Sequence, residues 1–154
     1  MIPLPDPPLR SGELVLRPWA PADAAALAAA WADPEIQRWT GVPERRDLSA
    51  AERWIAGEQI RRERWLSLDF VVERRGVVVG EVGLAAFDRV ARTAEIGWWT
   101  DRTARGEGIA TTASRVLVGW ALEALDLVAV HARCDAANLA AVAVARRSGA
   151  MVLL

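Results

Sequence analysis

Two neighbouring stretches decide the reading of this chain: Glu95-Ile96-Gly97-Trp98-Trp99-Thr100 and, shortly after, Arg105-Gly106-Glu107-Gly108-Ile109-Ala110-Thr111. The first has the β-branched and aromatic content of a strand. The second leads into Thr111 to Leu125, where Val116, Leu117, Trp120, Ala121 and Ala124 recur at helical spacing. A strand that turns through a glycine-containing bend into a helix presents free backbone N–H groups and the positive end of the helix dipole. That is a ready-made site for a phosphate or pyrophosphate. Gly106 and Gly108 permit unusual dihedrals and let a ligand approach the backbone closely. Two commoner phosphate motifs are excluded. No Gly-Lys-Ser/Thr follows, and a dinucleotide fingerprint needs a third glycine in the first strand–helix unit, whereas this bend follows the fourth strand.

Working outward, the flanks alternate between strand and helix patterns. Glu13 to Arg17 reads as a strand ended by Pro18, and Pro21 opens an alanine-rich helix that Asp33-Pro34 breaks. Asp47 to Arg64 reads as one helix, with Ser49-Ala50-Ala51-Glu52 as its capping box. Leu66 to Glu73 and Val77 to Leu84 are strands joined by an Arg74-Arg75-Gly76 turn. Leu127 to Cys134 is a strand, Asn138 caps a last helix that ends at Ser148-Gly149, and Met151 to Leu154 begins another strand. Met1 to Ser11 reads as a flexible, proline-rich lead-in. The order is β-α-α-β-β-β-α-β-α-β, an α/β chain with one central mixed sheet and helices on both faces.

Composition narrows the function. A net charge of -1 gives no global support to a nucleic-acid or anionic-membrane partner. Cys134 is the single cysteine and His131 the single histidine, so neither a disulfide framework nor a zinc site is expected, and a reducing cytoplasm is the simplest home. The chain has no lysine, and its arginine and alanine content suits a GC-rich bacterial genome. No run approaches the roughly 20 apolar residues of a membrane helix.

Four stretches together resemble the GNAT superfamily of N-acetyltransferases, and within it the RimJ/RimL branch: Leu14-Val15-Leu16-Arg17-Pro18, Ala94 to Trp99, Arg105 to Thr111, and Asn138 to Gly149. The resemblance implies a single acetyltransferase domain over residues 1–154, with acetyl-CoA as co-substrate, no metal, and a primary amine as acceptor. It implies that backbone N–H groups of Gly106, Gly108, Ile109 and Ala110, together with Arg105, Glu107 and Thr111, surround the CoA pyrophosphate. The pantetheine arm would run beside Trp98, Trp99 and Thr100, with Asn138 helping to hold it. In the family the fourth and fifth strands splay apart to receive that arm, and a backbone N–H there polarises the thioester carbonyl.

Direct attack by a neutral amine follows from the same resemblance. Freeing an α-amine (pKa ~8) of its proton at pH 7 costs about 1 kcal/mol, and freeing a lysine-type amine (pKa ~10.4) about 4–5 kcal/mol. Glu95 is the first candidate for the base, and Glu81 and Asp88 are the second choices. Members of the family often use a tyrosine as general acid, but this chain has none. Ala141 stands where the branch usually has a serine. Cys134 or water could donate that proton, although a packed thiol is the commoner role for Cys134. His131 reads as a packed strand residue.

Family members continue past Ser148-Gly149-Ala150 with two further strands, so the C-terminal strands read as missing or truncated. A homodimer that exchanges terminal strands is compatible with that ending. A CoA-binding module or sensor with little catalysis is the alternative to the enzyme.

Overall fold

The computed structural model describes residues 1–154. Seven strands form one sheet in chain order: β1 (Leu9–Ser11), β2 (Leu14–Pro18), β3 (Ser67–Arg74), β4 (Val77–Asp88), β5 (Thr93–Thr100), β6 (Ala129–Arg133) and β7 (Met151–Leu153). Pairing is antiparallel from β1 to β5 and parallel from β5 to β7.

Strand alternation sorts the side chains into two layers. Leu14, Leu16, Leu68, Phe70, Val82, Leu84, Ala94, Ile96 and Val130 join one buried cluster with Ile109, Ala113, Leu117 and Ala121 of α5 (Ile109–Ala124). On the other face Val71 and Trp99 join a cluster with α1 (Ala24–Trp31), α2 (Pro34–Trp39) and α3 (Leu48–Ala56). The expected mixed sheet with helices on both faces is therefore present. The remaining helices are α4 (Glu58–Glu63), which packs on β3, and α6 (Leu139–Arg147), which packs on α5 and β7.

Several local expectations need correction. The first eleven residues are tied down. Ile2 is fully buried and exchanges hydrogen bonds with Arg62, and Leu9–Ser11 forms a hairpin with β2 across Gly12 (φ +55°). Proline content hid an apolar anchor. Asp33-Pro34 ends α1 but also starts α2. The Asp33 side chain accepts from Glu35 N and Pro34 occupies the first turn, where its missing N–H costs nothing.

The single helix expected over Asp47 to Arg64 is two, divided at Gly57. Arg61 Nη1 lies 3.0 Å from where a Cβ on Gly57 would stand, so the absent side chain leaves room for that guanidinium. The cap of α3 is Asp47, whose carboxylate accepts from Ala50 N at 2.8 Å. Ser49 instead accepts from Arg53, so no Ser49–Glu52 capping box forms. β4 also runs four residues beyond Leu84.

Arg17 closes the first layer onto the second. It donates to Asp23 at 2.8 and 3.0 Å and also to Glu73, fixing the turn at Pro21–Asp23 that leads into α1.

Candidate active site

The β5–β6 ladder joins only Thr93, Ala94 and Glu95 to Ala129, Val130 and His131. Beyond Glu95, residues Ile96 to Thr100 are paired with β4 alone, and β6 turns its next residues to β7. The sheet therefore opens as a wedge, leaving one edge of β5 without a partner strand.

The glycine bend lies at the mouth of this wedge. Gly106 and Gly108 take φ of +80° and +77°, in the left-handed region that favours glycine. Neither would bring a Cβ within 4 Å of another atom, so the space in front of them is open. Gly108 is the N-cap of α5 and supplies no side-chain cap. The first intrahelical bond is Thr112 N to Gly108 O, and the N–H groups of Ile109, Ala110 and Thr111 precede it without protein acceptors. A 16-residue helix thus aims three unpaired donors and its positive end at an open cradle.

The charged residues of the bend point elsewhere. Glu107 is held by Arg74 at 3.1 and 3.3 Å, which partly neutralises its charge. Arg105 donates to Thr100 O at 3.1 Å and to Asp33 at 2.7 Å.

A cavity of about 350 Å³ runs from this cradle along Thr100, Trp99 and Trp98 to Asn138 and Ala141, with Ile36 and Trp39 of α2 as the opposite wall. Asn138 Oδ1 caps α6 by accepting from Ala141 N at 3.1 Å. A second cavity of about 480 Å³ shares Trp39, Thr40, Trp98, Trp99, Asn138 and Ala141 with the first and continues through the wedge to the other side. Its floor is the layer-two face of the sheet: Asp69, Glu81, Gly83 and Gly97. Its walls are Trp31, Trp39, Trp54 and Trp99.

Glu81 is the chemically distinctive group there. It is the register partner of Trp99 on β5 and Val71 on β3, and its Oε2 is buried with no hydrogen-bond partner. Burial pushes its carboxyl up to about 8, aided by the charge of Asp69. The indole N–H groups of Trp19 and Trp99 and the guanidinium of Arg61 act in the opposite direction. Burial also raises Asp69, against the Ser67 hydroxyl (2.7 Å) and Arg61 (3.2 Å).

Glu95 shares the sheet face of Glu81 but lies outside the lining of both cavities. Arg133 on β6 holds it, Nη2 to Oε1 at 2.9 Å. Asp88 accepts from Val90 and Ala91 N in the β4–β5 turn, also outside the cavities. His131 is half-buried beside Glu95. Cys134 lines the larger cavity, with its Sγ 3.8 Å from Ala141 O, and burial raises its thiol. Trp98 packs against the α5-side core and Trp99 sits in the opposite cluster, so the pair is divided between the faces as strand alternation requires.

A model of the acetyltransferase (GNAT) domain matches residues 13–151. The chain belongs to the GNAT acetyltransferase family. It is 27% identical over 137 residues to the uncharacterized N-acetyltransferase p20 of Bacillus licheniformis, covering 84% of this chain and 74% of that protein. Mycobacterium smegmatis RimJ in complex with CoA-disulfide superposes with a TM-score of 0.73 at 25% identity, over 89% of this chain and 70% of that one. The microcin C7 self-immunity acetyltransferase MccE, in complex with acetyl-CoA and AMP, superposes at 0.80 with 22% identity, over 90% and 79% of the two chains, a likeness of fold. Within this GNAT chain no helix is long and apolar enough to cross a membrane, and no cluster of three or more His, Cys, Asp or Glu residues could hold a metal ion.

Sequence reasoning ranked Glu81 behind Glu95 and did not single out Asp69, Asp33 or the Trp31–Trp54 wall. One signal was present for Glu81. It is the only charged residue in Val77-Val78-Val79-Gly80-Glu81-Val82-Gly83-Leu84, where burial of an acid needs a reason. Asp33 was marked by the Asp-Pro pair that caps and opens a helix.

Proposed function

We propose that residues 1–154 act as one acetyltransferase domain that moves an acetyl group from acetyl-CoA to a primary amine by direct attack. The observation that carries this reading is the continuity of the two cavities. One ends at the unpaired N–H groups of α5, the other at buried Glu81, and they meet at the open edge of β5.

The cradle fits the co-substrate. Ile109, Ala110 and Thr111 N–H groups and the dipole of α5 would take the pyrophosphate, and Gly106 and Gly108 leave room for it. The free edge of β5 near Trp98, Trp99 and Thr100 would run beside the pantetheine arm, with Asn138 across from it. The thioester is then placed where the cavities join. A backbone N–H of β5 would stabilise charge on the carbonyl oxygen, and holding both reactants in one wedge supplies much of the acceleration.

The geometry favours Glu81 over Glu95 as the base, because Glu81 faces the cavity and Glu95 is committed to Arg133. A carboxyl near 8 is matched to an α-amine and so exchanges its proton at little cost. Cys134 is kept as a thiol beside the junction, and the departing CoA sulfur (thiol pKa ~8.5) can take its proton from the acylated amine or from water.

Calorimetric titration with acetyl-CoA, followed by a CoA-release assay over a panel of amines, tests the proposal. Micromolar binding and amine-dependent release support it. Binding without release from any amine leaves a CoA-binding module, and no binding by the folded protein removes the reading altogether.

A further inference from the structure

The larger cavity has two sides of different chemistry. Glu81, Gly83, Gly97 and Trp99 share one face of the sheet, by alternation and by the β4–β5 register. Through the wedge the same cavity reaches Leu84, Ile96, Trp98, Cys134 and Ala141, which belong to the α5-side cluster or pack against it. No charged side chain belongs to this second group. Leu84 and Ile96 are buried there, and the Cys134 thiol already donates to Ala141 O at 3.8 Å. Cys134, just past β6, and Ala141, in the first turn of α6, are small, and they stand across the wedge from Ile96 on β5.

The trigonal thioester carbon fixes where its alkyl group goes. Its three substituents lie in one plane, and the amine attacks perpendicular to that plane. The sulfur comes from the cradle at α5, and the carbonyl oxygen turns to a β5 N–H. The third direction in the plane leads away from β5, across the wedge to Cys134 and Ala141. The amine arrives from the face of Glu81, so acceptor and alkyl group do not compete for space. A lone methyl leaves apolar surface of these side chains facing water, and each methylene added to the chain covers more of it.

We propose that the α5 side of this cavity takes straight-chain acyl groups longer than acetyl, such as propionyl and butyryl, and holds them among Ile96, Cys134 and Ala141. The inference rests on the acetyltransferase reading of the site and names the donor class within it. The transfer keeps the same balance. The amine lone pair forms the N–C bond as the C–S bond breaks, and one amine proton ends on the CoA sulfur, leaving an amide and CoA thiol. A chain that ends in a carboxylate is disfavoured. Arg133, the one cation among the lining residues, is already held by Glu95 at 2.9 Å, and an unpaired carboxylate among apolar side chains is costly.

Binding of the donor alone tests this whatever the acceptor is. Acetyl-, propionyl-, butyryl- and succinyl-CoA are titrated into the full chain by calorimetry. The Kd should fall by about three- to fourfold for each methylene from acetyl to butyryl, the transfer value of a buried CH2. Succinyl-CoA, with the carbon count of butyryl and a terminal carboxylate, should bind at least roughly tenfold more weakly than butyryl-CoA. Ala141→Val and, as a second variant, Cys134→Leu fill the pocket and should bring the butyryl and acetyl affinities together or reverse their order. A flat or falling series overturns the inference and leaves the acetyltransferase reading standing. So does succinyl-CoA binding as tightly as butyryl-CoA, or a rising series that both folded variants leave unchanged. Binding of none of the four by the folded chain removes that reading and the inference with it.

Discussion

Arg105 Nη2 stands 2.7 Å from Asp33 Oδ2, so the side chain that opens the phosphate bend is anchored on the N-cap of α2. Asp33 therefore serves two elements at once, and α2 brings Ile36 and Trp39 to the walls of the cavities. Asp33→Ala should cost about 1–2 kcal/mol, the cap plus a stranded guanidinium. It should also raise the Kd for acetyl-CoA several-fold, because the wall and the bend lose their tie. Urea denaturation and calorimetry read the two effects; a stability loss with unchanged Kd would confine Asp33 to capping.

The two glutamates on one sheet face separate by experiment. Glu81→Gln should lower kcat by about a hundredfold or more, the usual range for loss of a general base. Glu95→Gln removes only the half-buried partner of the exposed Arg133 and should cost less than about fivefold. Steady-state rates with one amine at saturating acetyl-CoA decide between them, and the opposite ranking would return the base role to Glu95.

Why the choice between them was not legible in sequence is a matter of register and long-range pairing. Both residues lie on the same face, but only the β4–β5 register puts them there, since strand period fixes the face within one strand and not between two. Arg133 comes from β6, across a crossover helix, and no local pattern announces that it claims Glu95. The burial of Glu81 depends on Val71, Trp19 and Trp99 arriving from three other places in the chain. By contrast the β5–bend–α5 unit was readable because its determinants are local: glycines at positive φ, a β-branched run, an apolar helical stripe. Where local signals competed, the outcome turned on packing. Gly57 splits an otherwise helical run with the Arg61 guanidinium packed against its bare Cα, and a proline-rich start concealed the buried Ile2.

Glu81 also makes stability depend on pH in a defined direction. Its carboxyl moves from 4.5 in the unfolded chain to about 8 in the fold. The folded state therefore keeps a proton that the unfolded state releases. The stabilisation is complete below about pH 4.5 and is lost as pH rises towards 8, on the order of a few kcal/mol in all. Asp69, also raised, adds in the same sense. Denaturant midpoints at pH 5 and pH 8 should differ in the wild type and differ much less in Glu81→Gln. Over the same range kcat/KM should climb with pH as the base ionises.

Gly108 tests the cradle itself. Its φ of +77° makes Gly108→Ala cost about 1 kcal/mol of stability, since a Cβ strains the left-handed region. The added methyl meets no protein atom within 4 Å, so it projects into the space assigned to the pyrophosphate. Acetyl-CoA affinity should fall by tenfold or more, roughly the 1.4 kcal/mol of one lost close approach. Calorimetry on protein shown to be folded by its tryptophan spectrum checks this.

Gly80 and Gly97 lie on adjacent strands at the wedge and should respond in opposite ways to the same substitution. A Cβ on Gly80 would stand 2.5 Å from Trp99 O, a backbone atom that cannot step aside without moving β5. Gly80→Ala should therefore destabilise the fold by about 2–3 kcal/mol, the cost of overpacking a rigid contact. Gly97 has open space where its Cβ would be, and it lines the floor of the larger cavity. Gly97→Ala should leave the denaturation midpoint within about 0.5 kcal/mol of wild type. Its effect should fall on the acceptor: KM for the amine rises while the Kd for acetyl-CoA stays put, because only the floor beyond the junction has been raised. A Gly97→Ala protein that loses acetyl-CoA affinity instead would mean that the two cavities have been assigned to the wrong ligands.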